Sequence, residues 1–425
     1  MRHHRSPLVS LLVVAAIVGM PTVAHATPMS LDDLVKAALR DHPTLTSARE
    51  AAVALRHRAS AAGSPYWPQV ALNTGTSATT QVSQAQNTAA PFNLSTVGAT
   101  VRQQLWDFGK TTDEVTAAEE AAQASQMTSE SRRVDIAFGV RKAYLEWLRA
   151  CGLQTQVESR QKAATALYRQ ADAFWKAGRR AKLDVTRADA SLQQANADVI
   201  GARNTAQVAL LTLGAAIGRS GSVEAETAFP QVPALAEAPM SELTKLADHH
   251  PLIRQSAARL HQSEANHRRA DKGNWPDITA DVSYGVRARD LVPSQNWSAG
   301  VTMNVPVFNG FADWRDRDAT AAQERASRAD TQSQRLTVML GIEQARLTGL
   351  GARERLAALG AAVRSAEANM ALAEGRYKAG VGSVIEVSDA QSLLSTTQAD
   401  RVRGEADYHL AVADLLRALG TTGVE

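Results

Sequence analysis

Two hydrophobic periods alternate along this chain. From Asp277 to Arg289 the apolar residues Ile278, Ala280, Val282, Tyr284, Val286 and Ala288 alternate with Asp277, Thr279, Asp281, Ser283, Gly285, Arg287 and Arg289. A period of two describes a strand with one apolar and one polar face. From Trp297 to Val307 it returns, with Trp297, Ala299, Val301, Met303, Val305 and Val307 opposite Ser298, Gly300, Thr302, Asn304 and Pro306. An earlier pair is fainter: Val97, Ala99, Val101 and Leu105 oppose Thr96, Gly98, Thr100 and Arg102, and a weaker strand is expected from Gln69 to Thr80.

Between these strands lie long stretches without proline, Thr111 to Lys176 and Asp313 to Lys378. As helices rising 1.5 Å per residue, each would reach about 100 Å. Leu356, Leu359, Val363, Ala366, Met370, Ala373 and Tyr377 keep the 3,4 spacing of a coiled-coil seam. Val134, Ala137, Tyr144, Leu148 and Cys151 keep the same beat, with Arg141 interrupting it. Flanking helices are expected at about Leu31 to Gly63 and Asp184 to Ile217, each about 50 Å long. Two of them stacked end to end would match one long helix.

The landmarks occur twice. Asp41-His42-Pro43 returns as His249-His250-Pro251 and Trp67-Pro68 as Trp275-Pro276, while Phe108-Gly109 pairs loosely with Asn309-Gly310. Trp175-Lys176-Ala177-Gly178 returns as Tyr377-Lys378-Ala379-Gly380, and Leu183-Asp184-Val185 as Ile385-Glu386-Val387. Such self-similarity implies two copies of one plan: helix, two strands, long helix, tight turn, helix. The expected organisation is a first repeat over 27–220, a linker over 221–239, a second repeat over 240–420 and a tail over 421–425.

The first residues are an address. Arg2 and Arg5 precede an apolar run from Leu8 to Met20, then Pro21 and Ala24-His25-Ala26, the three parts of an export signal spanning 1–26. About a dozen apolar residues are too few to span roughly 30 Å of hydrocarbon as a helix. Export changes the reading of the strands, which alternation alone would assign to a half-buried sheet. Trp67, Trp106, Trp275, Trp297 and Trp314, with Phe108, Phe308 and Phe311, bracket them. Aromatics at both ends of alternating segments are the girdles of an outer-membrane barrel. Four strands cannot close, because an open edge in lipid leaves backbone groups unpaired at several kcal/mol each. Further copies must complete the ring, and eight or twelve strands both fit.

Composition removes other classes. Lys and Arg number 46 against 43 Asp and Glu, giving a formal charge of +3 and no electrostatic case for nucleic acid. The lone Cys151 excludes an intramolecular disulfide and a thiolate zinc site. His249 and His250 are adjacent, and His261 and His267 are poorly spaced for one helix face, so no metal site is expected. No nucleophile motif, P-loop or dinucleotide fingerprint appears, so neither catalysis nor a cofactor is expected.

Pro306-Val307-Phe308-Asn309-Gly310, its counterpart Trp106-Asp107-Phe108-Gly109, and above all the run from Tyr377 to Gln391 resemble the TolC-type outer membrane efflux protein family. The resemblance covers essentially the whole mature chain. It implies an α+β membrane protein, a homotrimer whose twelve-stranded transmembrane β-barrel, four strands per chain, continues into a long α-helical periplasmic barrel. It further implies a periplasmic adaptor and an inner-membrane transporter as partners, in efflux or type I secretion, with Trp67, Trp106, Phe108, Trp275, Trp297 and Phe308 as membrane girdle.

Ser383 to Glu386 reads as a capping box, and carboxylates suit a helix N-terminus. By resemblance Glu386 and Asp389 also line the narrow periplasmic entrance, a ring that attracts cations. Arg187 stands where the second copy has Asp389, so only one hairpin per chain is expected to face the lumen. Arg376, Tyr377 and Lys378 are candidates for a tip latch. Gly178, Arg179, Gly380, Val381 and Gly382 are candidates for adaptor docking, the glycines also serving as positive-φ turn residues. Rival readings are a periplasmic adaptor, which would carry one hairpin and soluble β domains, and an exported structural coiled coil with a small sheet.

Overall fold

A computed structural model describes residues 28–83, 88–221, 223–231 and 237–424. The export signal lies outside the described residues. Helices α1 (Leu31–Asp41) and α2 (Pro43–Ala62) lead into strands β1 (Gln69–Ser83) and β2 (Thr88–Trp106), then helices α3 (Lys110–Lys176) and α4 (Lys182–Ile217). The same order follows in α5 (Met240–Ala247), α6 (Pro251–Asp271), β3 (Asp277–Arg289), β4 (Val292–Asn304), α7 (Ala312–Lys378) and α8 (Val384–Ala418). Among the described residues no helix is long and apolar enough to cross a membrane.

The expected helix from Leu31 to Gly63 is broken at His42. Pro43 takes the first helical position of α2, where its missing N–H costs nothing, and His42 caps it by accepting the Thr44 amide on Nδ1 at 3.3 Å. His250 does the same for α6, accepting from Leu252 N at 3.1 Å ahead of Pro251. These two histidines are therefore helix caps, paired with glycines. Gly218 and Gly420 end α4 and α8 at φ +85° and +73°, and a Cβ there would meet Pro43 Cδ at 3.0 Å and Pro251 Cδ at 2.7 Å. Only glycine supplies both the left-handed backbone and the clearance. Thus α4 abuts α2 end to end alongside α3, and α8 abuts α6 alongside α7.

The entry into each long helix is also built twice. Asp107 accepts the amides of Gly109 and Thr111 at 2.9 and 2.6 Å while Phe108 and Gly109 take positive φ. Asn309 accepts from Asp313 N at 3.4 Å while Gly310 and Phe311 take positive φ. Asp107, rather than Phe108, is thus the counterpart of Asn309, one residue away from the pairing expected by identity. Identity misled because the left-handed pair is Phe-Gly in one copy and Gly-Phe in the other.

The four strands form one antiparallel sheet in the order β1-β2-β3-β4. They are longer than the expected 11 residues, up to the 19 of β2. β4 runs Val292–Asn304 rather than Trp297 to Val307, since Pro306 lacks the N–H that a ladder needs. The register aligns one apolar face: Leu72 opposes Ala99, Ala99 opposes Tyr284, Tyr284 opposes Trp297, and Val101 opposes Val282, which opposes Ala299. The other face carries Arg102 paired with Asp281 at 2.7 Å and Ser283 with Ser298 at 2.8 Å. Both β1 and β4 are sheet edges.

Three apolar clusters hold the helices. One joins α1, α3 and α4 around Leu34, Tyr144 and Leu213; a second joins α5, α7 and α8 around Leu243, Ile342 and Leu415. The third lies at the tips around Met370, Tyr377 and Val387. Within the segment expected as a linker, the described residues 223–231 are strapped down: Met29 exchanges backbone bonds with Glu224 and Glu226, and the Tyr144 hydroxyl reaches the carbonyls of Glu226 and Ala228 at 2.7 and 3.0 Å.

Candidate functional site

The two ends of the molecule carry the candidate residues. At the tips, α3 turns into α4 through Gly178 and α7 into α8 through Gly380, with φ +68° and +81°. Arg179 N bonds Phe174 O at 2.9 Å, and Val381 N bonds Arg376 O at 3.1 Å, so each turn satisfies the last carbonyls of its long helix. Gly382 differs from the expectation: its φ is not positive, and it is glycine because a Cβ would lie 3.0 Å from the backbone of Arg376 and Tyr377.

Tyr377 is only 1% exposed, packed against Phe174 with ring centroids 5.8 Å apart. As a latch candidate it is therefore held inside its own chain rather than offered at the surface. Burial pushes its hydroxyl above the ordinary tyrosine value, and nearby Asp184 pushes the same way. Its cationic neighbour is Arg180, which sequence reasoning missed. The Arg180 guanidinium lies 5.4 Å from the Tyr377 ring centroid and donates to the carbonyls of Gly382 and Gly380 at 2.8 and 3.3 Å. One arginine thus clasps the second tip from the first. Its only sequence signal was a second basic residue after Arg179.

Glu386 and Asp389 are both exposed on the first turns of α8. Ser383 Oγ accepts the Glu386 amide at 3.2 Å, the expected cap. The Glu386 carboxylate does not close the reciprocal half of the box; it pairs with Arg376 Nε at 3.2 Å. Lys378 pairs with Glu374 at 3.2 Å. Arg376 and Lys378 are thus matched within the second hairpin, while Val381 is exposed at its apex.

At the sheet end, Trp106, Phe108 and Trp275 form edge-to-face contacts at 6.1 and 5.4 Å, and Phe308, Phe311 and Trp314 a second chain at 5.2 and 5.6 Å. Trp67 stands beside β1 on the same side. The expected named aromatics thus gather at one strand end, while at the other Phe92 lies under Arg289 at 4.0 Å near the end of β3. Trp297 lies within β4 opposite Tyr284, 76% exposed, and the strands continue past it. At about 3.3 Å per residue, Tyr284 stands roughly 23 Å along β3 from its first residue, Asp277. Aromatic residues thus lie at the helix-side end of the sheet, in mid-strand at Tyr284 and Trp297, and near the far end at Phe92.

Such a protomer, an amphipathic sheet with two open edges riding on helical hairpins of about 100 Å, defines an outer-membrane channel subunit. The chain belongs to the outer membrane efflux protein family, whose model matches residues 34–219 and 243–421. It is an outer membrane channel of efflux or type I secretion, with a periplasmic extension, in a family of channels rather than enzymes. Over 97% of its length it is 23% identical to outer membrane protein TolC of Vibrio cholerae, 95% of which is covered. It is 25% identical to outer membrane protein OprJ of Pseudomonas aeruginosa over 74% of this chain and 67% of that one. Its fold matches the crystal structure of the outer membrane protein VceC from Vibrio cholerae at a TM-score of 0.81 and 20% identity, over 92% of this chain and 96% of that one.

Proposed function

We propose that three copies of this chain close a twelve-stranded barrel, β4 of each pairing with β1 of the next, above a continuous helical tunnel. The observation that carries this is the sheet: its apolar face is exposed in registered rows while both edges lack partners, an arrangement affordable in lipid only when the ring is closed. Exposed Ile200, Val208 and Leu211 on α4 and Leu336, Leu340 and Leu347 on α7 supply helical surfaces for the same contact.

In this reading 27–220 and 240–420 are structural repeats joined by 221–239. Trp67, Trp106, Phe108, Trp275 and Phe308 form the inner aromatic belt, and Trp297 the outer one. The second hairpin faces the lumen, where Glu386 and Asp389 from each copy make an acidic constriction. The tips around Gly178, Arg179, Gly380, Val381 and Gly382 meet a periplasmic adaptor that links the conduit to an inner-membrane pump. Transport itself needs no chemistry from this chain; the tips open and the pump supplies the driving force. Native mass spectrometry of the detergent-extracted protein tests the assembly, with a trimer expected. A detergent-free monomer would overturn it.

A further inference from the structure

The arginine that interrupts the first apolar seam has an unusual setting. Arg141 is 5% exposed, yet among the described residues no carboxylate lies within ion-pair distance of it and no hydrogen bond reaches its guanidinium. Burial disfavours its charged form and the charge of exposed Asp32 favours it, but no direct partner among the described residues offsets the burial of the guanidinium. Arg141 lines a cavity of about 390 Å³, and α8 contributes a second unmet group to the same lining. His409, 8% exposed, stacks on Phe229 at 4.9 Å and leaves Nδ1 without a hydrogen bond. Burial holds the ring below its ordinary pKa, hence neutral, and one tautomer presents an N–H at Nδ1. Asp32 and Glu226 are exposed residues that line the same cavity.

A cation and a neutral donor inside, with two carboxylates toward solvent, match a ligand that carries both charges. We infer that this cavity, between α1, α3, α8 and the strap at Glu226–Gln231, is a binding site for a small zwitterion of amino-acid or dipeptide size. Its carboxylate sits on Arg141 and His409 Nδ1, and its ammonium points to Asp32 and Glu226. The volume falls at the low end of small-molecule pockets. A simple anion gains Arg141 but meets two like charges, and a simple cation gains the carboxylates but leaves Arg141 and His409 Nδ1 unpaired, so neither satisfies the whole site.

Isothermal titration of the full detergent-solubilised protein with glycylglycine, acetate and ethylamine tests this. Saturable binding of glycylglycine is expected, with acetate and ethylamine each at least about tenfold weaker. Arg141→Gln should weaken glycylglycine about tenfold or more, as should His409→Phe to a lesser degree, the phenyl ring preserving the stack on Phe229. Asp32→Asn, at an exposed position in the first turn of α1, should weaken glycylglycine but leave acetate unchanged or tighter. Absence of saturable glycylglycine binding overturns the assignment, as does affinity unchanged from the parent protein in both His409→Phe and Asp32→Asn, or acetate binding as tightly as glycylglycine.

Discussion

Replacing Arg180 by Gln should loosen the second tip without disturbing the helices that carry it. Arg180 donates two charged hydrogen bonds, at 2.8 and 3.3 Å, into carbonyls of the α7–α8 turn and lies over Tyr377. A charge-assisted hydrogen bond contributes roughly 1.5–3 kcal/mol and an exposed cation–π contact about 0.5–1 kcal/mol. Arg180 is only partly buried and water can replace it at the carbonyls, so a net loss of about 1–2 kcal/mol is the reasonable figure. That corresponds to a roughly 5- to 30-fold rise in local opening. Hydrogen exchange resolved by mass spectrometry reads it directly: peptides covering 376–390 should exchange faster by that factor, while those in α3 near Tyr144 remain unchanged. In planar bilayers the same variant should spend more time open. Unchanged exchange at the tip would show that the clasp contributes nothing and refute the reasoning.

Gly420→Ala should destabilise by about 2–3 kcal/mol and Gly218→Ala by less, because the added methyl meets Pro251 at 2.7 Å but Pro43 at 3.0 Å; thermal melting ranks them. Glu386→Ala with Asp389→Ala should reduce cation preference in bilayers, and an unaltered reversal potential would remove the acidic constriction. Burial depresses the pKa of both His250 and His409, so the stability they contribute is complete above about pH 6.5 and is lost as pH falls through their lowered folded-state values. Melting at pH 7.5 and pH 5 should therefore differ, and His250→Asn with His409→Phe, which keeps a cap and a stack, should narrow the difference.

The long helices were legible almost to the residue because two signals coincide there, a 3,4 seam interrupted only at Arg141 in the first and the absence of proline in both. β3 was equally plain, since its alternation is strict. β1 was faint because Gln69–Ser83 is rich in Thr, Ser, Gly and Gln, and what makes it a strand is the β2 register. The end of β4 and the break at His42 were set by prolines whose effect depends on which side of the residue the element lies. At the tips, Glu386 and its cap could be read from spacing. The Arg180 clasp could not, because it joins turns that are distant in sequence and adjacent only after both hairpins have formed. Arg141 stood out in the sequence only as an irregularity, and only burial gave that irregularity a meaning.

The butt joints at Gly218 and Gly420 have a mechanical consequence. Each runs beside an uninterrupted long helix, which acts as a splint across the seam between two shorter rods. Bending of the column is therefore resisted everywhere by one continuous member and yields first at the level of the joints. Torque applied at the tips would be absorbed there before it reached the strands, leaving the lipid-facing end rigid while the opposite end twists.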